Sequence, residues 1–511
     1  MRIASQNLTP DNPNLDARPL FQAALDYAKK NNVHLITADH GAYYFLTPSA
    51  KDRYLSIDSA SDLTIDLHGS DIYMKQSFLI WLVVIDSNRV TLTNFTLDSQ
   101  QLPFTQVRLT GVSANQRTLN YITQPGWPSP TVFNTVTNPD GSPQDLWALV
   151  FRNGALVSNS NRLPLTRSLQ DGVLQVQKSD APWTQPGVLA AYQPGDTIVV
   201  TARGGEAPLL IAGGDGNVIR NVDVYSSGAI GVHLDTVSNA TVEHVRVMPR
   251  PGADRLIGTN ADGIHLSYAL ANNTVANCYV SRSIDDGIAI NSPFLAFVSQ
   301  QNGARQVRVL RNFNSIFANG LAVSFVSTLT AGMLPGGHIL SQDPPYTDPP
   351  NQNSANVSLD QDLPLLQKGF GMIYADPQNR GAGSAIQDNL IEDIFSARGI
   401  YLGGVSGVTV QRNIIRRTNG GAIVAHQDVA SYPVGPNRDL QIVNNTVEHA
   451  IGPAAVGTGV VAAIASIFVL STDLNFNFVS GAPNTNITIA NNHIVNSGRG
   501  GIWISNLSGG T

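Results

Sequence analysis

The sequence predicts an all-β chain: a parallel β-helix with an N-terminal helix and an inserted β-module. Three observations predict it. Short β-branched segments recur from about residue 55, many ending near an Asn, as in RVTLTNFTLDS, NVIRNVDVYSS, GVTVQRNIIRR and LQIVNNTVEHA. A second short segment led by Gly follows most of the later ones, at Gly231, Gly263, Gly287, Gly320, Gly399, Gly421 and Gly501. The cleanest intervals are 24 residues (Gly263 to Gly287) and 22 (Gly399 to Gly421), and a period in the low twenties with two or three strands per unit is that of stacked coils. Stacking turns equivalent positions into ladders, and recurrent Asn suits them because side-chain amides hydrogen-bond along a stack.

The elements follow in order. In DARPLFQAALDYAKKNN, Leu20, Phe21, Ala24, Leu25 and Ala28 recur at helical spacing, Asp16 is placed to cap and Pro19 falls in the first turn. Such a helix can cover an exposed sheet end. VHLITADHGAYYFL reads as strand, turn and strand, so residues 1–100 form the cap and the first coils. Residues 101–204 break the repeat with a strand-rich run holding three of the five Trp, expected to be an inserted barrel or sandwich-like module. Residues 205–511 carry the main β-helix, interrupted at 327–368 by a Pro/Asn/Asp-rich stretch expected to be one long loop. The uncharged run 451–470 is about long enough to span a bilayer, but its Pro453, its three Gly residues and its place between repeats predict a buried strand layer.

Bulk properties exclude some functions. Net charge is -6, only 13% of residues are charged and no basic tract stands out, which argues against nucleic acid or an anionic membrane as partner. A single cysteine, Cys278, allows no intrachain disulfide. The first residues hold no apolar signal core, so the chain is expected to be a secreted or periplasmic form with its signal removed, with a cytoplasmic protein as the alternative. Oligomeric state is left open. The N-x-S/T triplets, such as those at Asn94 and Asn444, follow from Asn at coil turns preceding β-branched strands rather than from glycosylation.

Aligning the coils on the Gly of the second segment brings the chemistry into view. The residue before that Gly is Ile230, Asp262, Asp286, Asn319, Arg398, Gly420 and Gly500. Asp262 and Asp286 should therefore be neighbours on adjacent coils, about 5 Å apart at the backbone, with Asp285 beside them. The position two after the Gly reads His233, His265, Ala289, Ala322 and Tyr401, which brings His265 to the cluster. Three adjacent carboxylates cannot all ionise cheaply. Repulsion raises at least one pKa and sets a protonated acid beside ionised bases, the division that glycoside hydrolysis uses. Two plainer roles compete. A lone Asp before Gly is ordinary turn chemistry, and clustered carboxylates can hold Ca²⁺, although Asn319 and Arg398 add no anionic ligand, so neither metal nor cofactor is expected. His265, Asn319, Arg398, Tyr401, Asn291 and His233 complete the candidate set as sugar-binding residues, with packing the alternative for His233. Trp503 could stack a sugar ring or simply pack. No GxSxG and no phosphate-cradling Gly loop is present.

N-A-D-G at 260–263 and D-D-G at 285–287 resemble the N-x-D-G and D-D-C motifs of right-handed β-helix glycoside hydrolases, of which polygalacturonases are familiar members. The resemblance covers roughly residues 205–505, and the aspartates are its specific part. It implies inverting hydrolysis, with Asp285 as general acid and with Asp262 and Asp286 holding the water. The chain departs from polygalacturonases where their G-H-G becomes Ala318-Asn319-Gly320 and where their R-x-K has no counterpart, which removes the grip on a uronate. The 23-residue gap between the two motifs, the inserted module and the Asn-rich late coils look more like two other branches. These are the exo-acting α-1,3-galactosidases of glycoside hydrolase family 110 and the dextranase and α-1,3-glucanase families. The expectation is therefore an exo-acting α-glycosidase on a neutral carbohydrate. The alternatives are a polysaccharide lyase on the same scaffold, using Arg398 or Tyr401, and a non-catalytic, tailspike-like glycan binder.

Overall fold

The computed structural model describes residues 10–510 except 115–116, 138–140, 158–161, 167–168, 178–187, 312–317, 345–353, 432 and 453–462. Its long axis is a parallel β-helix, as the repeat predicts. One wall is a ten-stranded parallel sheet. Its strands, in spatial and chain order, are β1 (Arg53–Asp58), β2 (Ile80–Ile85), β3 (Leu209–Ala212), β4 (Val232–Asp235), β5 (Ile264–Ser267), β6 (Ile288–Asn291), β7 (Ile400–Gly403), β8 (Ile423–Asp428), β9 (Ala465–Thr472) and β10 (Gly500–Ile504). A sixteen-stranded sheet forms the other walls, with Thr241–Val247, Thr274–Ala276 and Tyr279–Ser281 among its strands. Alternate residues of each coil point inwards, so Ile264, Leu266, Ile288, Ile290, Ile400 and Leu402 stack into one buried column.

The recurrent Gly belongs to this packing. A Cβ on Gly287 would lie 2.6 Å from the Gly399 carbonyl oxygen and 2.5 Å from Ile391 Cγ2, and one on Gly263 would lie 2.7 Å from the Gly287 oxygen. The coil corner has no room for a side chain there. The Asn ladder also forms: Asn389 donates to Asn413 (2.9 Å), Asn413 to Asn445 (3.0 Å) and Asn445 to Asn492 (2.9 Å). Each amide satisfies its neighbour, and Asn389, Asn413 and Asn445 are buried from water.

Helix α1 (Arg18–Asn31) buries Phe21, Ala24, Leu25 and Ala28, and the Phe21 ring meets Tyr43 and Phe45 at 5.3 and 5.2 Å. The N-cap position is Ala17, not Asp16. Asp16, one residue earlier, accepts from the Arg18, Leu46 and Thr47 amides.

Two antiparallel bodies interrupt the helix. The first is a seven-stranded sheet running from Phe104–Val112 to Thr197–Arg203, with its own core around Val107, Leu119, Val150 and Ile198. The second corrects the sequence reading. Strands Ala296–Gly303, Gln306–Arg311, Ala322–Val326, Met333–Asp343, Ser354–Leu359 and Gly371–Tyr374 close into a barrel. The expected long loop over 327–368 therefore contains strands of this barrel, and the Gly320 segment is not a coil. The wall skips the barrel: β6 pairs directly with β7, Ile288 with Ile400 and Ala289 with Tyr401. Gly-Leu-Ala-Val has the same apolar pattern in a barrel strand as in a coil, so the pattern alone could not separate them. Of the 451–470 run, 453–462 lie outside the described residues, and Ala465–Thr472 is the fully buried strand β9. Among the described residues no helix is long and apolar enough to cross a membrane.

Candidate active site

Strand pairing places Asp262 and Asp286 at the same corner of successive coils. The Gly263 amide donates to the Asp286 carbonyl and the Gly287 amide to the Arg398 carbonyl, each at 2.9 Å. The row runs Ile230, Asp262, Asp286, Arg398. Further on the register differs by one from the sequence alignment: Ile400 pairs with Ile423, so Gly421, not Gly420, follows Arg398. Asn319 is absent from the row and lies exposed in a turn of the barrel. Its expected neighbourhood with the aspartates is not found, because the barrel is looped out between two adjacent coils.

The three aspartates converge: one carboxylate oxygen from each lies within 4.8 Å of the others. Side-chain exposure falls from 15% at Asp285 to 9% at Asp262 and 3% at Asp286, so Asp285 faces outwards and the other two form the floor. Each has its own partner. Asp262 Oδ2 is 2.7 Å from His265 Nδ1, and its Oδ1 accepts from the Asp286 amide at 3.1 Å. His265 Nε2 lies 2.7 Å from Asn291 Nδ2. Asp286 accepts two parallel bonds from the Arg398 guanidinium, both 2.7 Å, and a third from the Arg398 amide at 2.8 Å. Arg398 in turn lies 3.9 Å over the Tyr401 ring. His233 stands one coil back, its ring 5.5 Å from that of His265, between Glu206 at 3.0 Å and Ser267 at 2.7 Å.

Sequence reasoning missed the partners of Asp285. Arg162 Nη2 and Arg203 Nη1 reach its Oδ2 at 2.6 and 2.8 Å. Both come from the first inserted sheet and flank Trp147, 4.8 and 5.5 Å from its ring. Arg162 also donates to the Ile284 carbonyl at 3.2 Å. Glu206 was missed too. No repeat carries these residues into alignment with the ladder, so spacing holds no signal for them.

Electrostatics separates the carboxylates. At Asp285 burial alone would raise the pKa, but Arg162, Arg203 and Arg398 outweigh it and hold the group well below the ordinary carboxylate range. At Asp286 burial wins over Arg398, Asp262 and Asp285 add repulsion, and the carboxyl is pushed up to about 6. Arg398 is itself held above its ordinary value by Asp286 despite its burial. The two members of that pair thus shift in senses that favour and oppose the salt bridge. A guanidinium never gives up its proton here, so any protonation change falls on the Asp286 side. His233 is raised because Glu206 outweighs the effect of burial.

The oxygen spacing would admit a cation, but the same carboxylates already face three guanidiniums, so a divalent ion would meet positive charge of equal count. Tyr401 is buried and packed with Ala289, Val424 and Phe468, and Arg398 is spent on Asp286. Neither is placed to serve as the exposed base of a lyase. Trp503 lies exposed on the last strand, in the row Tyr401, Val424, Phe468, Trp503, several coils beyond the aspartates.

No protein-family model matches the chain. Curated relatives do. The chain is 22% identical over 312 residues to an α-1,3-galactosidase A of Shewanella woodyi, covering 55% of this chain and 49% of that one. It is 19% identical over 461 residues to an α-1,3-galactosidase A of Bacteroides fragilis, covering 83% and 73%. The resemblance to β-helix glycoside hydrolases is borne out by these relatives. The chain spans about half the length of the Shewanella protein. Solved structures similar to it include the Agl-KA catalytic domain (11% identity, TM-score 0.47, 99% of this chain and 57% of that one). The A-module of the Azotobacter vinelandii mannuronan C-5 epimerase AlgE4 is another (11%, 0.44, 100% and 99%).

Proposed function

We propose that this protein is an inverting glycoside hydrolase that removes a neutral, α-linked sugar from the end of a glycan, with an α-1,3-galactoside as the first substrate to test. The observation that carries the reading is the convergence of Asp262, Asp285 and Asp286 from adjacent coils. The relatives' common name supports the linkage.

Asp285, the most exposed of the three, is the general acid and meets the leaving oxygen. Asp262 and Asp286, turned towards each other on the floor, orient and deprotonate the water. The free site holds Asp285 ionised, so a bound glycan must displace Arg162 and Arg203 from it before it can carry the proton. The oxygen spacing is shorter than the roughly 6.5–9.5 Å of an inverting carboxylate pair. The spacing by itself is nearer the roughly 5–5.5 Å of a retaining pair; in this reading Asp262 and Asp286 hold one water between them, and inversion rests on the resemblance.

Asp285→Asn should abolish release of galactose from an α-1,3-galactoside while the folded state and sugar binding persist; residual turnover above a few per cent would sink the acid assignment. Proton NMR of the first-formed anomer tests stereochemistry, and net retention would overturn inversion.

A further inference from the structure

A second cleft lies along the seam between the first inserted sheet and the early coils. It encloses about 1100 Å³, just above the roughly 300–1,000 Å³ of a small-molecule site. We propose that it is a carbohydrate subsite for the part of the same glycan that extends away from the aspartates. The inference rests on reading the aspartates as a glycan-processing site.

The chemistry of the walls points to a sugar. Trp127 and Phe78 supply aromatic surface, and Gln76, Gln100 and Gln101 supply planar amides at the rim. Trp127 is partly exposed and tilted over buried Phe104, ring centroids 6.0 Å apart. A half-covered aromatic face offers the apolar side of a pyranose a flat surface, while amides that both donate and accept suit its hydroxyls. Charge is balanced. Arg255 is tied to buried Asp98 at 2.8 Å, which leaves Lys51 and Asp254, one of each sign, on the rim. A neutral ligand fits such a cleft better than an anionic or cationic one.

Position argues for the same substrate. Phe78 sits two residues before β2, where the strand register aligns it with Asn260, two residues before Asp262. Three coil steps separate β2 from β5, roughly 14 Å at the usual strand spacing. The seam is continuous across that distance: one apolar cluster joins Phe104 and Trp127 at the cleft to Ile284, the neighbour of Asp285. The inserted sheet therefore borders both sites, with Trp127 at one and Arg162 and Arg203 at the other.

The test is titration calorimetry of the Asp285→Asn protein with α-1,3-galacto- and α-1,3-gluco-oligosaccharides, from disaccharide to hexasaccharide, run beside turnover by the wild type. Affinity should rise with chain length. Adding Trp127→Ala should weaken binding of the hexasaccharide about tenfold and leave the disaccharide unchanged. Gln101→Ala, on the rim and outside any core, should weaken the longest sugars several-fold even if the Trp127 variant melts early. Length-independent affinity, unchanged hexasaccharide binding in both variants, or no binding of either series overturns the inference. Turnover with no Trp127 dependence would leave the hydrolase standing and remove the cleft. Length- and Trp127-dependent binding without turnover of any sugar would do the reverse.

Discussion

Arg203 offers the sharpest test of how the inserted sheet acts on the aspartates. Substituting Arg203→Met keeps an unbranched apolar stem beside Trp147 and removes the charge 2.8 Å from Asp285. Two unit charges about 4 Å apart at an effective dielectric of about 20 attract by about 4 kcal/mol. Arg162 and Arg398 remain, and solvent reaches part of both groups, so about half survives: about 2 kcal/mol, or about 1.5 pKa units at Asp285. The sign follows from linkage. Asp285 is held below its unfolded value, so its ionisation adds stability that is full above the unfolded pKa of about 3.9 and is lost as the pH falls through the folded value. The penalty of Arg203→Met should therefore be greatest near neutrality and shrink in acid. A double-mutant cycle with Asp285→Asn, read from urea midpoints at constant m, should give a coupling of about 2 kcal/mol at neutral pH. A coupling below about 0.5 kcal/mol, or a penalty that is the same at low and neutral pH, would mean that Arg203 acts through packing alone.

Two further predictions concern the coils. Arg398→Gln leaves Asp286 with the residue-398 amide as its remaining donor, so a carboxyl already up to about 6 should rise further. The acidic limb of kcat/KM against pH on an α-1,3-galactoside should move upward by about one unit, and a stationary limb would remove Asp286 from the water-activating role. Gly287→Ala drives a Cβ to 2.6 Å from the Gly399 oxygen, an overpacking of about 1–3 kcal/mol that calorimetric melting would register; an unchanged melting temperature would contradict so close a coil corner.

Much of the fold was legible because a β-helix repeats itself. The Gly of each second segment marks a corner with no space for a Cβ, the Asn residues mark a satisfied amide ladder, and both survive in sequence as spacing. The same regularity put Asp262, Asp286 and Arg398 in one row, and that much of the candidate site could be read without coordinates. It failed at Asn319 for a local reason. An apolar strand after a Gly looks alike whether it joins a parallel coil or an antiparallel barrel, because both bury alternate residues, and the difference lies in partners tens of residues away.

The arginines were out of reach for a deeper reason. A ladder argument works only where neighbours are equivalent positions of the same unit. Arg162 and Arg203 meet Asp285 across separations of 123 and 82 residues, through the way an unrelated sheet folds back on the helix. Their effect on Asp285 is nonetheless large: burial pulls its pKa upward, and together with Arg398 they outweigh burial and hold it ionised. The β-helix thus supplies the carboxylates and their spacing, while the protonation state of the most exposed one is set by an insertion that follows no repeat. If that division holds, the proposed acid becomes competent only when the glycan takes the place of the guanidiniums. The identity of the sugar is then decided at the seam between the two bodies rather than on the ladder itself.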